Sequence, residues 1–316
     1  MDNILDRINY YMQLIYISAQ PASQYYAWQA EVYIHQFQRL GIATTDIHVI
    51  AGHSNSQPID ESWIKLMRRF PDAVIEFYRY DDCDYAPAMQ PQVLSKHWQK
   101  YPHLESYACF YHDADFLFTK PFDFTRYLSD DTWYFSDTIS YIGAEYIKSK
   151  SSAILDIMCQ TIGIDRFIVE ANQHNSGGAQ KLMKNVTSRY WDEVYIHSVN
   201  LYDVLKKVKH IKKPDDQYGI QIWTASMWAE LWTAWKIGIK VEVPKEFDFC
   251  WATCHVSKWD DLSFFHNAGV PSSGRGMFFK ADYIDRLPYG HEVSVDENHC
   301  SRKYYDIVQS IDSCLK

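Results

Sequence analysis

Along the first third of the chain, apolar residues fall in short β-branched runs separated by longer amphipathic stretches. Leu14-Ile-Tyr-Ile17 predicts an opening strand that ends in the polar loop Ser18-Ala-Gln-Pro-Ala-Ser-Gln24. Trp28, Val32 and Phe37, set among Glu31, Gln36 and Arg39, repeat at helical spacing until Leu40-Gly41 stops them. Ile47-His-Val-Ile-Ala-Gly52 reads as a buried strand, residues 61–69 as a helix ending before Pro71, and Val74-Ile-Glu-Phe-Tyr78 as a third strand. A helix over 92–100 carries Val93, Leu94 and Trp98 on one side, with Pro91 suited to its first turn. The strand Tyr107 to Tyr111 then delivers Asp113 and Asp115 before Phe116-Leu-Phe118, and the chain leaves through Pro121.

Buried strands alternating with helices predict an α/β fold with a mostly parallel, Rossmann-like sheet covered by helices on both faces. Ligands of such sheets bind beyond the carboxyl ends of the strands, so the loops after Ile17, Ile50, Tyr78 and Tyr111 should converge on one site. The second half is less regular. Trp133 to Ser136 reads as a strand, 153–162 as a helix, and Asn175-Ser-Gly-Gly-Ala-Gln180 as a tight turn entering another helix. A helix bearing Val199, Tyr202 and Leu205 runs into a lysine cluster, and a Trp-rich helix spans 217–236 before Gly238 and a strand at 241–243. No internal repeat or linker interrupts the chain, which points to a single catalytic domain over 1–290, with halves 1–130 and 131–290, followed by a tail, 291–316.

Composition narrows the function classes. With 47% hydrophobic and 22% charged residues, the 316-residue chain is globular. Aromatic residues make up 16%, enough to line a groove for flat or sugar-like ligands as well as a core. The net charge of −9 opposes a general nucleic-acid surface, although Lys206, Lys207, Lys209, Lys212 and Lys213 form a local basic run. No apolar stretch is long enough to span a membrane, and 1–7 lacks a basic and then apolar leader, so a soluble, cytoplasmic protein is expected (host cytoplasm if viral). Seven scattered cysteines fit free thiols better than a disulfide framework, and Cys250, Cys254 and His255 lack a fourth zinc ligand at ordinary spacing.

Asp-x-Asp is a cheap pattern in an acidic chain, and Asp82-Cys-Asp84 repeats it. Asp113 and Asp115 differ in context, since they follow an apolar strand and precede another apolar run. Clustered carboxylates at a partly buried strand end repel each other unless a cation compensates them. A dehalogenase-type phosphatase reading places Leu117 where Thr or Val belongs, and a structural reading makes the pair two loop caps.

The sequence resembles glycosyltransferases of the GT-A fold, and within them the hydroxyproline O-arabinosyltransferase and peptidyl serine galactosyltransferase group. The resemblance rests on Tyr85-Ala-Pro-Ala-Met-Gln-Pro91, Asp113 to Pro121, Ser176-Gly-Gly-Ala-Gln180 and the helix from Trp223 through Glu230 to Gly238, in that order, over roughly residues 14–280. It implies a metal-dependent transferase (hexosyl- or pentosyltransferase) that moves a sugar from a nucleoside-diphosphate sugar, UDP by habit of the fold, to an acceptor hydroxyl on a glycan, a protein or a hydroxymethylated pyrimidine of phage DNA. Mn²⁺ or Mg²⁺ is implied at Asp113, Asp115 and His266, the imidazole favouring Mn²⁺. Donor contacts are implied at Ser18, Gln20, Gln24, Gln90, Asp113, Asn175, Ser176, Gly177, Gly178 and Gln180, with Tyr25 or Tyr26 stacking on the base. Glu230 and Asp216 are the candidates for a general base in an inverting transfer. The different-class alternative is a non-catalytic carbohydrate- or nucleotide-binding module. Members of that group belong to the secretory pathway, a departure that weakens the acceptor's identity more than the donor chemistry.

Overall fold

The computed structural model describes residues 12–211 and 218–316. Ten strands are present among these residues: β1 (Leu14–Pro21), β2 (Ile47–His53), β3 (Val74–Arg79), β4 (Ala108–Tyr111), β5 (Phe116–Phe118), β6 (Trp133–Asp137), β7 (Gly177–Lys184), β8 (Val241–Glu242), β9 (Phe249–Trp251) and β10 (Phe264–His266). The helices are α1 (Gln24–Arg39), α2 (Glu61–Arg69), α3 (Met89–Lys100), α4 (Ile139–Ile142), α5 (Ala144–Lys150), α6 (Ser152–Ile162), α7 (Arg166–Ala171), α8 (Ser188–Val208), α9 (Ala225–Lys236), α10 (Ser257–Asp261) and α11 (Cys300–Gln309). Seven strands form one sheet in the order β3-β2-β1-β4-β7-β6-β8, and β5-β10-β9 form a second, smaller sheet. The β3-β2-β1-β4 half is parallel throughout, while β7 runs antiparallel to both β4 and β6.

Strand alternation divides the core into two layers. Ile15, Ile17, Cys109, Tyr111 and Met183 face a cluster built with α3, α6, α8 and α9. Ala108, Phe110 and Leu182 face the opposite cluster, which joins α1, α2, the small sheet and α11. The α/β reading with a mostly parallel sheet flanked by helices therefore matches the molecule.

Three local expectations are corrected. The loop placed over 18–24 is mostly strand: β1 continues to Pro21, burying Ser18 and Gln20, and α1 starts at Gln24. The segment 175–180 does not turn into a helix but opens β7, an interior strand of the sheet. Its glycines answer to packing, since a Cβ on Gly177 would stand 2.6 Å from the Phe135 Cβ, and one on Gly178 2.5 Å from the Met227 Cε. The positive φ falls instead on Ala179, at 57°, where the β6–β7 register shifts. The Trp-rich helix is shorter than expected: α9 begins at Ala225, after a 3₁₀ turn over Ile222–Thr224, and Gln217 lies outside the described residues.

The C-terminal segment returns to the start of the fold. Tyr304 and Val308 of α11 are buried in the core. Buried Glu31 of α1 accepts hydrogen bonds from the Tyr289 hydroxyl (2.6 Å), the Ser313 hydroxyl (2.6 Å) and the Cys314 backbone N–H (2.8 Å).

Candidate metal centre

The apolar strand β4 ends at Tyr111, and a tight reversal carries the chain into β5. His112 pins that reversal: its backbone N–H donates to the Ile17 carbonyl (3.0 Å), and its Nδ1 donates to the Asp113 carbonyl (2.9 Å). Because Nδ1 faces a carbonyl, it carries the proton, and burial among Tyr33, Phe37 and Phe116 lowers the His112 pKa to about 4. The small sheet then supplies what the sequence holds far away. β5 pairs antiparallel with β10 so that Phe116 lies opposite His266, and the Asn267 N–H donates to the Asp115 carbonyl at 2.9 Å.

Through that register, Asp113, Asp115 and His266 offer ligand atoms that all lie within 4.8 Å of one another. His266 Nε2 stands 3.1 Å from Asp115 Oδ1 and 3.6 Å from Asp113 Oδ2. Its other nitrogen meets the Gln180 amide at 3.3 Å, and its ring stacks on Trp251, with centroids 5.5 Å apart and planes 24° apart. The two carboxyls differ in setting, the Asp113 side chain being 44% exposed and that of Asp115 6%. Lys280 closes the group by an ion pair with Asp115 Oδ2. Burial alone would raise the Asp115 pKa, but the Lys280 ammonium and His266 overcome it and hold the carboxyl well below its ordinary value. Burial likewise opposes protonation of His266, and the two aspartates reverse that effect to raise its pKa.

A cleft of about 340 Å³ opens on these groups, lined also by Gln20, Tyr25, Tyr26, Ala86, Pro87 and Gln90. It lies where the carboxyl ends of β1 and β4 meet the start of α1, the position expected of a parallel sheet. Both amide atoms of Gln20, the Gln90 Nε2 and the Gln180 Oε1 are buried without hydrogen-bond partners. Such orphaned groups are uncommon in finished interiors and are satisfied when a polar ligand enters. Two carboxylates and an imidazole within reach of one point fit a divalent cation, with the nitrogen donor leaning towards Mn²⁺ over Mg²⁺.

Other residues singled out in the sequence are not among those lining the cleft. Ser18 is buried and bonds the Tyr33 hydroxyl at 2.7 Å, and Gln24 opens α1 without lining the cleft. Asn175, Ser176, Gly177 and Gly178 run into β7 along its pairing with β6. Glu230 on α9 is buried and ion-paired with Lys181 of β7, whose ammonium also stands 4.4 Å from the Tyr111 ring centroid. Asp216, Lys212 and Lys213 lie outside the described residues. Of the basic run, Lys206 pairs with Asp84 at 3.3 Å. Lys280 was missed because one lysine in an irregular segment carries no periodic or spacing signal.

No family model matches the sequence, and no curated protein matches it either. Among solved structures, the chain is similar to mouse xyloside xylosyltransferase 1 in its apo form, at 9% identity and a TM-score of 0.42, covering 82% of this chain and 99% of that one. It is also similar to the mannosyltransferase PcManGT from Pyrobaculum calidifontis in complex with GDP-Man and Mn²⁺, at 13% identity and a TM-score of 0.30, covering 72% of each chain. Likenesses this distant assign neither donor nor acceptor.

Proposed function

We propose that the chain is a metal-dependent glycosyltransferase that uses a nucleoside-diphosphate sugar. The observation that carries this reading is the convergence of Asp113, Asp115 and His266 in a cleft at the carboxyl ends of parallel strands. A divalent cation held there supplies Lewis-acid stabilisation of the charge that builds on the leaving diphosphate. The chain's own residues do the rest. Asp115 and His266 are fixed by the β5–β10 register, and Asp113, more exposed, lines the cleft beside them. Were Asp113, Asp115 and His266 to hold a cation, Lys280, here paired with Asp115, would be the side chain available to a diphosphate oxygen. Tyr25 and Tyr26 offer rings to a base, and Gln20 and Gln90 offer unsatisfied amides to ribose or sugar hydroxyls.

In the transfer, the acceptor oxygen bonds to the anomeric carbon while the bond from that carbon to the diphosphate oxygen breaks, its electron pair leaving with the diphosphate. An inverting reaction needs a base for the acceptor proton, and Glu230 and Asp216 are the carboxylates proposed for it. Burial raises the Glu230 pKa and Lys181 pulls it back, so use as a base requires release from Lys181. UDP and Mn²⁺ are the first donor and cation to try. The test is release of nucleoside diphosphate from a panel of nucleotide sugars with Mn²⁺ or Mg²⁺. Release that stops on chelation supports the reading, whereas no release from any donor favours a binding module.

A further inference from the structure

Beside the cleft, a second surface presents rings to solvent. Trp223 is 58% exposed, although its indole is the sort of surface a fold ordinarily buries. It stacks on half-buried Tyr141, with centroids 6.3 Å apart and planes 26° apart. The position is fixed from behind, because the Tyr85 hydroxyl donates to the Trp223 carbonyl (2.6 Å) and accepts from the Ser226 N–H (2.8 Å). Tyr85 immediately precedes Ala86 and Pro87, which line the cleft, so the ring pair is tied to its rim. Tyr141 sits on α4, which starts beyond exposed Asp137, and one oxygen of Asp137 accepts the Ile139 N–H at 2.8 Å.

The surface thus combines a flat, exposed π face with the exposed carboxyl of Asp137, and it is tied through Tyr85 to the rim of the cleft that holds the candidate metal centre. A saccharide matches both parts. The C–H groups on one face of a pyranose or furanose carry partial positive charge and settle on an aromatic ring, while its hydroxyls donate to carboxylate oxygens. A polyphosphate backbone matches neither, since a chain of phosphates gains little on a π face and the exposed Asp137 carboxyl would repel it.

Resting on the donor reading above, we infer that Trp223 and Tyr141 form the acceptor subsite and that the acceptor is a neutral saccharide. Its ring lies on the Trp223 indole, with the reacting hydroxyl directed into the cleft that Asp113 lines. Neither ring carries out chemistry, so both are positioning residues.

Neutral disaccharides of glucose, galactose, xylose and N-acetylglucosamine serve as probes, both for binding to the full chain by saturation-transfer NMR with Mg²⁺ and as acceptors in nucleoside-diphosphate release. At least one should bind and accelerate release. Trp223→Ala should weaken that binding about tenfold and raise the acceptor KM more than it lowers kcat, with Trp223→Phe restoring most of the loss. The inference is overturned if Trp223→Ala leaves saccharide binding and acceptor KM within about twofold, a change too small for a lost stacking contact. Acceleration only by hydroxyl-bearing peptides or hydroxymethylated duplex DNA overturns it equally. If no nucleotide sugar is consumed, the donor reading alone fails, and Trp223-dependent saccharide binding still supports the platform.

Discussion

Asp82-Cys-Asp84 and Asp113-Ala-Asp115 share one spacing and occupy opposite environments. In the first, Asp82 accepts a hydrogen bond from the Ser56 hydroxyl at 2.9 Å, and Asp84, 82% exposed on its side chain, reaches Lys206 across the surface. Water solvates these carboxyls whether or not a partner is present. In the second, the fold withholds water from Asp115 and substitutes Lys280 and His266. Burial turns a pattern of two acids into a demand for positive charge, and the cleft beside it lets a cation other than lysine meet that demand.

The largest effect expected from this contrast is on turnover. Asp115→Ala should lower kcat/KM of the proposed transfer by about a thousandfold, the scale of metal-supplied charge stabilisation, and abolish Mn²⁺ binding read by electron paramagnetic resonance. Next comes the sealed pair in the core. Glu230→Ala leaves Lys181 buried without its partner and should cost about 3 kcal/mol in denaturant unfolding, whatever part Glu230 plays in catalysis.

A third test concerns buried imidazoles that burial keeps neutral. His48 Nδ1 and His97 Nε2 lie 2.9 Å apart, and burial holds their pKa values at about 4 and about 2, below the ordinary 6.5. Their folded-state values are depressed, so the unfolded chain binds the extra protons. The stability they contribute is complete above pH 6.5 and is lost as the pH falls from 6.5 through about 4. Urea midpoints measured across that window should fall with pH, and His97→Gln should flatten the slope. The smallest effect closes the series: Asp84→Ala should leave both turnover and Tm unchanged, and a loss of activity there would break the contrast between the triplets.

Periodicity made the parallel half legible because its strands are short apolar runs and its helices each bury one face. The strand β7 hid for a definite reason. An interior strand ordinarily shows its apolar pattern, but β7 carries Gln180, Lys181 and Lys184 inside. Lys184 is sealed by hydrogen bonds to the Tyr127 and Asp130 carbonyls and an ion pair with Asp130 at 2.9 Å, and Lys181 by Glu230. Two lysines neutralised in the core read, in one dimension, as the wet face of a helix. The Asp113-x-Asp115 frame was visible as a strand end, whereas the nearness of His266 depends on a strand pairing across about 150 residues, which no local pattern encodes.

The return of the C-terminus to Glu31 has a consequence for synthesis. A ribosome delivers α1 long before the donors that satisfy Glu31, which come from Tyr289, Ser313 and Cys314, at least 258 residues further along the chain. Lys280 and His266 also follow long after Asp115. The first α/β units can gather while translation proceeds, but α1 keeps an unmet carboxyl until residues 289–314 have emerged. A nascent chain is therefore expected to stay incomplete at its cleft until Lys280 has emerged and at Glu31 until Cys314 has, and chains stalled before those points should be the ones that chaperones and proteases capture.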